Sequence, residues 1–165
     1  MNRITRIVLS ILLINSLSSC FSNRIVHQNE PLQLTSNEVK FQLVSVSQNN
    51  QLNTRGMIFS QTVRDGKTGK IGKFYMATIE IQNNSKQQKS IDLGDILLCN
   101  ADNSCLEPVR YDMKSAIDAR ANQIMKLKPN QEKGRKIYFA GSKSFVPETI
   151  MLKDTGEFIK FSYKK

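Results

Sequence analysis

The chain has no tryptophan, a single histidine, three cysteines and four prolines, and no apolar run that approaches bilayer length. Each shortage removes a class of chemistry. Without tryptophan, the best aromatic platform for a sugar ring is missing, and a glycosidase pair of carboxylates gains no support. The one histidine, His27, lies in a polar stretch near the N-terminus. A Ser-His-Asp or Cys-His arrangement needs its imidazole held rigidly beside a nucleophile, and zinc needs several such ligands. The cysteines at 20, 99 and 105 contain no C-x-x-C pair, so a thioredoxin-type redox site is not indicated. Gly66-Lys67-Thr68 ends like a phosphate-binding loop, but the position five residues before Gly66 is Gln61, where that loop needs glycine. The expectation is a chain without catalytic activity, cofactor or metal.

What is present begins with Arg3 and Arg6, followed by Ile7-Val8-Leu9-Ser10-Ile11-Leu12-Leu13-Ile14 and then Leu17-Ser18-Ser19-Cys20. A positive start, a short apolar core and small residues form the layout of a secretory signal peptide. The core is too short to span a bilayer, which takes roughly 20 apolar residues. Leu17-Ser18-Ser19-Cys20 resembles the lipobox of bacterial lipoproteins. That resemblance implies lipid on the Cys20 thiol, cleavage just before it, and acylation of the new amine. Residues 1–19 are therefore expected to be a lipoprotein signal peptide, and residues 20–37 a lipidated tether that joins the membrane to a domain over 38–165. Phe21 is not the aspartate that marks inner-membrane retention in some bacteria, so the resemblance favours the outer membrane.

Basic residues outnumber acidic ones, 24 to 14, for a net charge of +10. Such an excess favours anionic surfaces, and a secreted compartment argues against nucleic acid as the partner. The densest cluster is Lys126, Lys128, Lys133, Arg135, Lys136 and Lys143, opposed within that window by Glu132. If the segment is a hairpin, Lys126, Lys128, Arg135 and Lys136 are the candidate anion-binding residues, for phosphate, an acidic glycan or a host matrix ligand. The competing explanation is a solvated strand face, where lysine discourages edge-to-edge aggregation.

From Glu38 onward the sequence reads as strand after strand. Val39, Phe41 and Leu43 alternate with Lys40 and Gln42, and Met57 to Val63 is a less regular candidate. Tyr75, Ala77, Ile79 and Ile81 alternate with Met76, Thr78 and Glu80, before a turn at Asn83-Asn84-Ser85-Lys86. Ser90 to Cys99 loses its alternation at Gly94-Asp95, which predicts a bulge or break. Met113 to Ala121 has a weak helical tendency. Ile124 to Leu127, Lys136 to Ala140, Ile150 to Leu152 and Phe158 to Tyr163 complete the set. Short strands joined by Asn, Gly and Pro turns predict an all-β, immunoglobulin-like antiparallel β-sandwich.

Leu98-Cys99 and Cys105-Leu106 flank a polar, turn-forming tip, and a secreted pair of thiols at this spacing predicts a structural Cys99–Cys105 disulfide. Asn100, Asp102 and Ser104 carry one charge between them, whereas calcium takes six to eight oxygens; turn chemistry explains them. Asp92, Asp95 and Glu107 are the other carboxylates of this region.

Gly72 to Ser85, with Ile91 to Pro108 and Leu127 to Phe139, resembles the telokin-like, immunoglobulin-like domains of many bacterial lipoproteins. These show a strand ending in an Asn-rich turn, a strand with a polar hairpin, and a leucine-x-proline turn followed by a late glycine. Here Asn130 follows Pro129 where glycine is usual, and asparagine is the next-best residue for positive φ. The resemblance implies a fold and no enzyme. The combined expectation is a lipid-anchored envelope protein, held in the membrane by Cys20, with a structural or interaction role toward a protein or glycan partner. The alternative is the anion-binding module.

Overall fold

The computed structural model describes residues 24–26, 32–49, 51–53, 60–62, 72–115 and 119–161. The leader, Cys20, His27, Gly66-Lys67-Thr68 and Tyr163 lie outside them.

The strands are β1 (Arg24–Val26), β2 (Leu32–Ser36), β3 (Val39–Asn49), β4 (Gln51–Asn53), β5 (Ser60–Thr62), β6 (Lys73–Asn83), β7 (Lys89–Asp92), β8 (Ile96–Cys99), β9 (Cys105–Leu106), β10 (Pro108–Met113), β11 (Ile124–Leu127), β12 (Glu132–Gly141), β13 (Thr149–Leu152) and β14 (Phe158–Lys160). A six-stranded sheet has the order β1-β3-β6-β12-β10, with β2 also paired to β3. The second layer comprises β14-β13-β8-β9 and the pair β11-β7, while β4 and β5 form a separate hairpin. All pairings are antiparallel. The result is an antiparallel β-sandwich, as the strand spacing predicted.

The alternation in β6 decides which face is the core. Tyr75, Ala77, Ile79 and Ile81 are all at most 1% exposed, and they pair across β12 with Phe139, Ile137, Arg135 and Lys133. Val39, Phe41, Leu43 and Val46 of β3 extend the same inner face. Leu93, Ile96, Leu98, Met125, Leu127, Ile150, Leu152 and Ile159 cover it from the second layer. The Tyr75 hydroxyl donates to the Phe145 carbonyl at 2.6 Å, so its one polar atom is satisfied inside the core.

Two expectations are corrected. The tether was expected to reach residue 37, yet Leu32–Ser36 pairs with Val39–Leu43, and Leu32 and Leu34 pack against the core. Their spacing is a strand pattern that Pro31 and the nearby leader disguise. Residues 113–121 were expected to lean helical. In the structure Met113 N–H donates to Ala119 O and Ala121 N–H to Tyr111 O, so the described ends of this segment fold back along the edge of β10. The break expected at Gly94-Asp95 is present. It is a 3₁₀ turn, Leu93–Asp95, capped by Asp92, and it carries the chain from β7 to β8. A β-carbon on Gly94 would fall 2.6 Å from Gln123 Nε2 and 2.9 Å from Asp92 Oδ1, so a larger residue there would displace the side chains that hold the turn.

Candidate functional site

The basic residues singled out in the sequence do not converge. Neighbours along a strand point to opposite faces. Arg135 therefore shares the inner face with Ile137 and Phe139, while Lys136 lies on the outer face opposite Asp112 and Thr78. Burial lowers the Arg135 guanidinium from its usual pKa, and its Nη1 donates to the Gly134 carbonyl at 2.8 Å. The hairpin assumed for 124–139 is absent. β11 pairs with β7 of the second layer, and the turn at Lys128–Gln131 crosses between layers. Lys126 and Lys128 are exposed there, and Lys133 Nζ bridges the layers by donating to Lys126 O at 2.9 Å. The structure thus gives Lys126, Lys128, Arg135 and Lys136 no common face.

The cysteine prediction holds: Cys99 and Cys105 are disulfide-bonded, with Cα atoms 4.0 Å apart. Asn100 N–H donates to Ser104 O, which makes 100 and 104 the hydrogen-bonded pair and 99 and 105 the close, non-hydrogen-bonded one. Asn100 Oδ1 accepts from the amides of Asp102 and Ser104 at 3.1 and 2.8 Å. The polar tip is therefore held by its own backbone. Among the described residues no three His, Cys, Asp or Glu side chains are placed to hold a metal ion.

The outer face of the large sheet carries a polar lattice. Arg110 Nε pairs with the buried Asp112 carboxylate at 2.8 Å, and its guanidinium lies 5.6 Å from the centre of the Tyr138 ring. Lys114 crosses β12 above Gly134 to reach Glu80; a β-carbon at Gly134 would stand 2.7 Å from Lys114 Cβ. These groups satisfy one another.

The surface feature that the sequence did not reveal is a cleft of about 260 Å³ at the free side of β7. Val39, Phe41, Ile91, Ile96 and Leu152 supply its apolar lining, and Asp95, Asp154 and the Ser36-Asn37 corner border it. The corner is a two-residue turn in which Asn37 and Glu38 both have positive φ, 50° and 64°. That combination suits the twist of a hairpin, yet glutamate rarely adopts it. Glu38 is held there by its carbonyl, which accepts from Asn84 N–H at 2.9 Å, and by its carboxylate, 3.5 Å from Lys89 Nζ. Asp92 is committed elsewhere: its Oδ1 accepts from Gly94 N and Gln123 Nε2. The sequence offered one pointer to the cleft, the interrupted alternation between Ser90 and Cys99. Which strand pairs with β7 is a tertiary fact.

No family model and no curated protein matches the chain. Among solved structures, it is similar to a conserved hypothetical protein from Bacillus anthracis, at 11% identity and a TM-score of 0.59, over 87% of this chain and 100% of that one. It is also similar to a functionally unknown protein from Listeria monocytogenes EGD-e, at 11% identity and a TM-score of 0.52, over 90% and 93% of the two chains. Likeness at this identity shows the fold alone.

Proposed function

We propose that the chain is a lipid-anchored envelope protein whose β-sandwich serves a non-catalytic interaction role. The anchoring half rests on the leader: the positive start, the short apolar core and Leu17-Ser18-Ser19-Cys20 stand in the register of a lipobox. The resemblance of residues 72–85, 91–108 and 127–139 to telokin-like domains, which occur on such lipoproteins, supports the same reading. The interaction half rests on one observation, the open cleft beside β7, which combines an apolar lining with a charged rim on a rigid scaffold. Anchoring at Cys20 confines the domain to the membrane surface and raises its encounter rate with other envelope components. The spread of Lys126, Lys128, Arg135 and Lys136 over different faces gives the anion-binding alternative no comparable surface.

Crosslinking in intact cells, paired with protease shaving, tests the proposal. The expected result is a discrete adduct and a domain whose protease sensitivity reports one side of the membrane. Mass spectrometry that finds an unmodified Cys20 in the mature protein would contradict the anchoring half.

A further inference from the structure

We propose that the free edge of β7 is a strand-addition site for an extended, cationic segment of a partner protein. This builds on the interaction role above and names the partner's chemistry.

β7 hydrogen-bonds β11 on one side only. Leu93 N–H donates to Gln123 O, so the hydrogen-bonded pairs on this ladder are 93/123, 91/125 and 89/127. The amide groups of Ser90 and Asp92 therefore point away from β11. The Asp92 carbonyl is taken up by the 3₁₀ turn that Asp92 caps. Among the described residues, the Ser90 N–H, the Ser90 C=O and the Asp92 N–H have no partner. An open edge is a template for another strand, and addition of an extended peptide is a recurring recognition mode in which backbone bonds supply affinity and flanking pockets supply selectivity.

The surroundings specify the occupant. Four residues of β7 accept a matching segment of about 13 Å at roughly 3.3 Å per residue. Alternate side chains of that segment face the apolar lining of the cleft, and those between them face the rim. The rim is acidic, with Asp95 and Asp154, although the chain as a whole carries +10. Lys89, the basic residue in the lining, is paired with Glu38. An acidic edge on a basic protein selects a basic partner. A second copy added edge to edge would set these carboxylates against their own duplicates, and anionic headgroups are repelled in the same way.

The test uses the protein purified as the cell processes it, in detergent, with a capped Lys-Val-Lys-Val-Lys-Val-Lys peptide as the probe. Three controls accompany it: the Glu-Val counterpart, a Lys-Val peptide N-methylated at alternate residues, and the variants Ser90→Pro and Asp95→Asn/Asp154→Asn. Proline is tolerated at an edge position whose N–H is free, so Ser90→Pro should keep its fold. The expected result is saturable binding that shifts the amide resonances of Ser90 and Asp92. Binding should weaken at least tenfold on N-methylation, on Ser90→Pro and on loss of the two carboxylates, fall with added salt, and be absent for the Glu-Val peptide. The inference is overturned if the Lys-Val peptide fails to bind at millimolar concentration, if the N-methylated or Glu-Val peptide binds equally well, or if the shifts fall elsewhere. The N-methylated peptide keeps the test decisive should Ser90→Pro misfold. A failure here leaves the broader interaction role standing, since crosslinks at other exposed positions would still support it.

Discussion

The buried carboxamide of Asn83 donates to the carbonyl of Leu127, 44 residues later, at 3.1 Å. The same Nδ2 donates to Gln87 O at 2.7 Å and Lys128 O at 3.2 Å, while Oδ1 accepts from the Ser85 amide and hydroxyl. One fully buried side chain thus ties the end of β6 in the large sheet to β11 in the second layer. Because β11 pairs with β7, the link also fixes the strand that borders the cleft. Each carbonyl left without a donor in a buried site loses about 1–3 kcal/mol.

Asn83→Ala should therefore destabilise the fold by about 2–4 kcal/mol. Asn83→Asp should be worse at neutral pH, where a carboxylate meets three carbonyl oxygens, and should recover partly in acid as the carboxyl becomes a donor. Chemical denaturation of both variants at pH 7 and pH 4 checks this. A loss below half a kcal/mol for Asn83→Ala would show that the link is dispensable.

Glu38 supplies a prediction of the opposite sign. A left-handed conformation is unfavourable by about 1–2 kcal/mol for a residue with a β-carbon, whereas Asn-Gly is the preferred hairpin turn. The ion pair that is lost is largely exposed and contributes little. Glu38→Gly should raise the thermal midpoint by a few degrees. A fall in Tm would mean that the Glu38 carboxylate matters more than its backbone strain.

The disulfide closes a small loop, with a sequence separation of 6. Loop-closure entropy for that size is about 2 kcal/mol. The Cys99→Ala/Cys105→Ala variant should stay folded and lose about that much, measured by denaturation of oxidised wild type against variant. Complete unfolding of the double variant would show that the bridge is needed to form the second layer.

Tyr111 lies on the inner side of β10, where burial first, and then the charges of Asp92, Glu107 and Asp95, push its phenol above the usual tyrosine range. The sign follows from linkage: the folded state holds the proton more tightly than the unfolded chain. Stability is unaffected below the unfolded pKa and falls as pH rises through it. Tyr111→Phe should therefore reduce the alkaline loss of stability, read from denaturation midpoints between pH 8 and pH 11. An unchanged pH profile would contradict the assignment.

Much of the sandwich was legible where one residue's neighbours decide its fate. Alternation placed Tyr75, Ala77, Ile79 and Ile81 on the core face, and all four are buried there. Asn130, read as a stand-in for glycine, has φ +56°. The hairpin carrying Cys99 and Cys105 announced itself by composition. What was not legible is pairing between segments. Ile124–Leu127 and Lys136–Ala140 look like one hairpin because they are close in sequence, yet Asn83 and the turn after Leu127 send them to different layers. The proposed basic face falls apart for that reason, and the unpaired side of β7 appears for the same one. The short β2 was masked by Pro31, and only its partner β3 makes it a strand.

The central claim, that this sandwich binds another component of the envelope, is tested most directly by a photo-crosslinking scan in intact cells. A photoreactive residue is placed in turn at Asp154 beside β7, at Asp102 on the disulfide hairpin and at Lys143 in the turn after β12. A discrete protein adduct is expected at Asp154, beside the cleft. An adduct at Asp102 or Lys143 alone would keep the interaction role and move it away from the cleft, whereas no adduct at any of the three positions would contradict it.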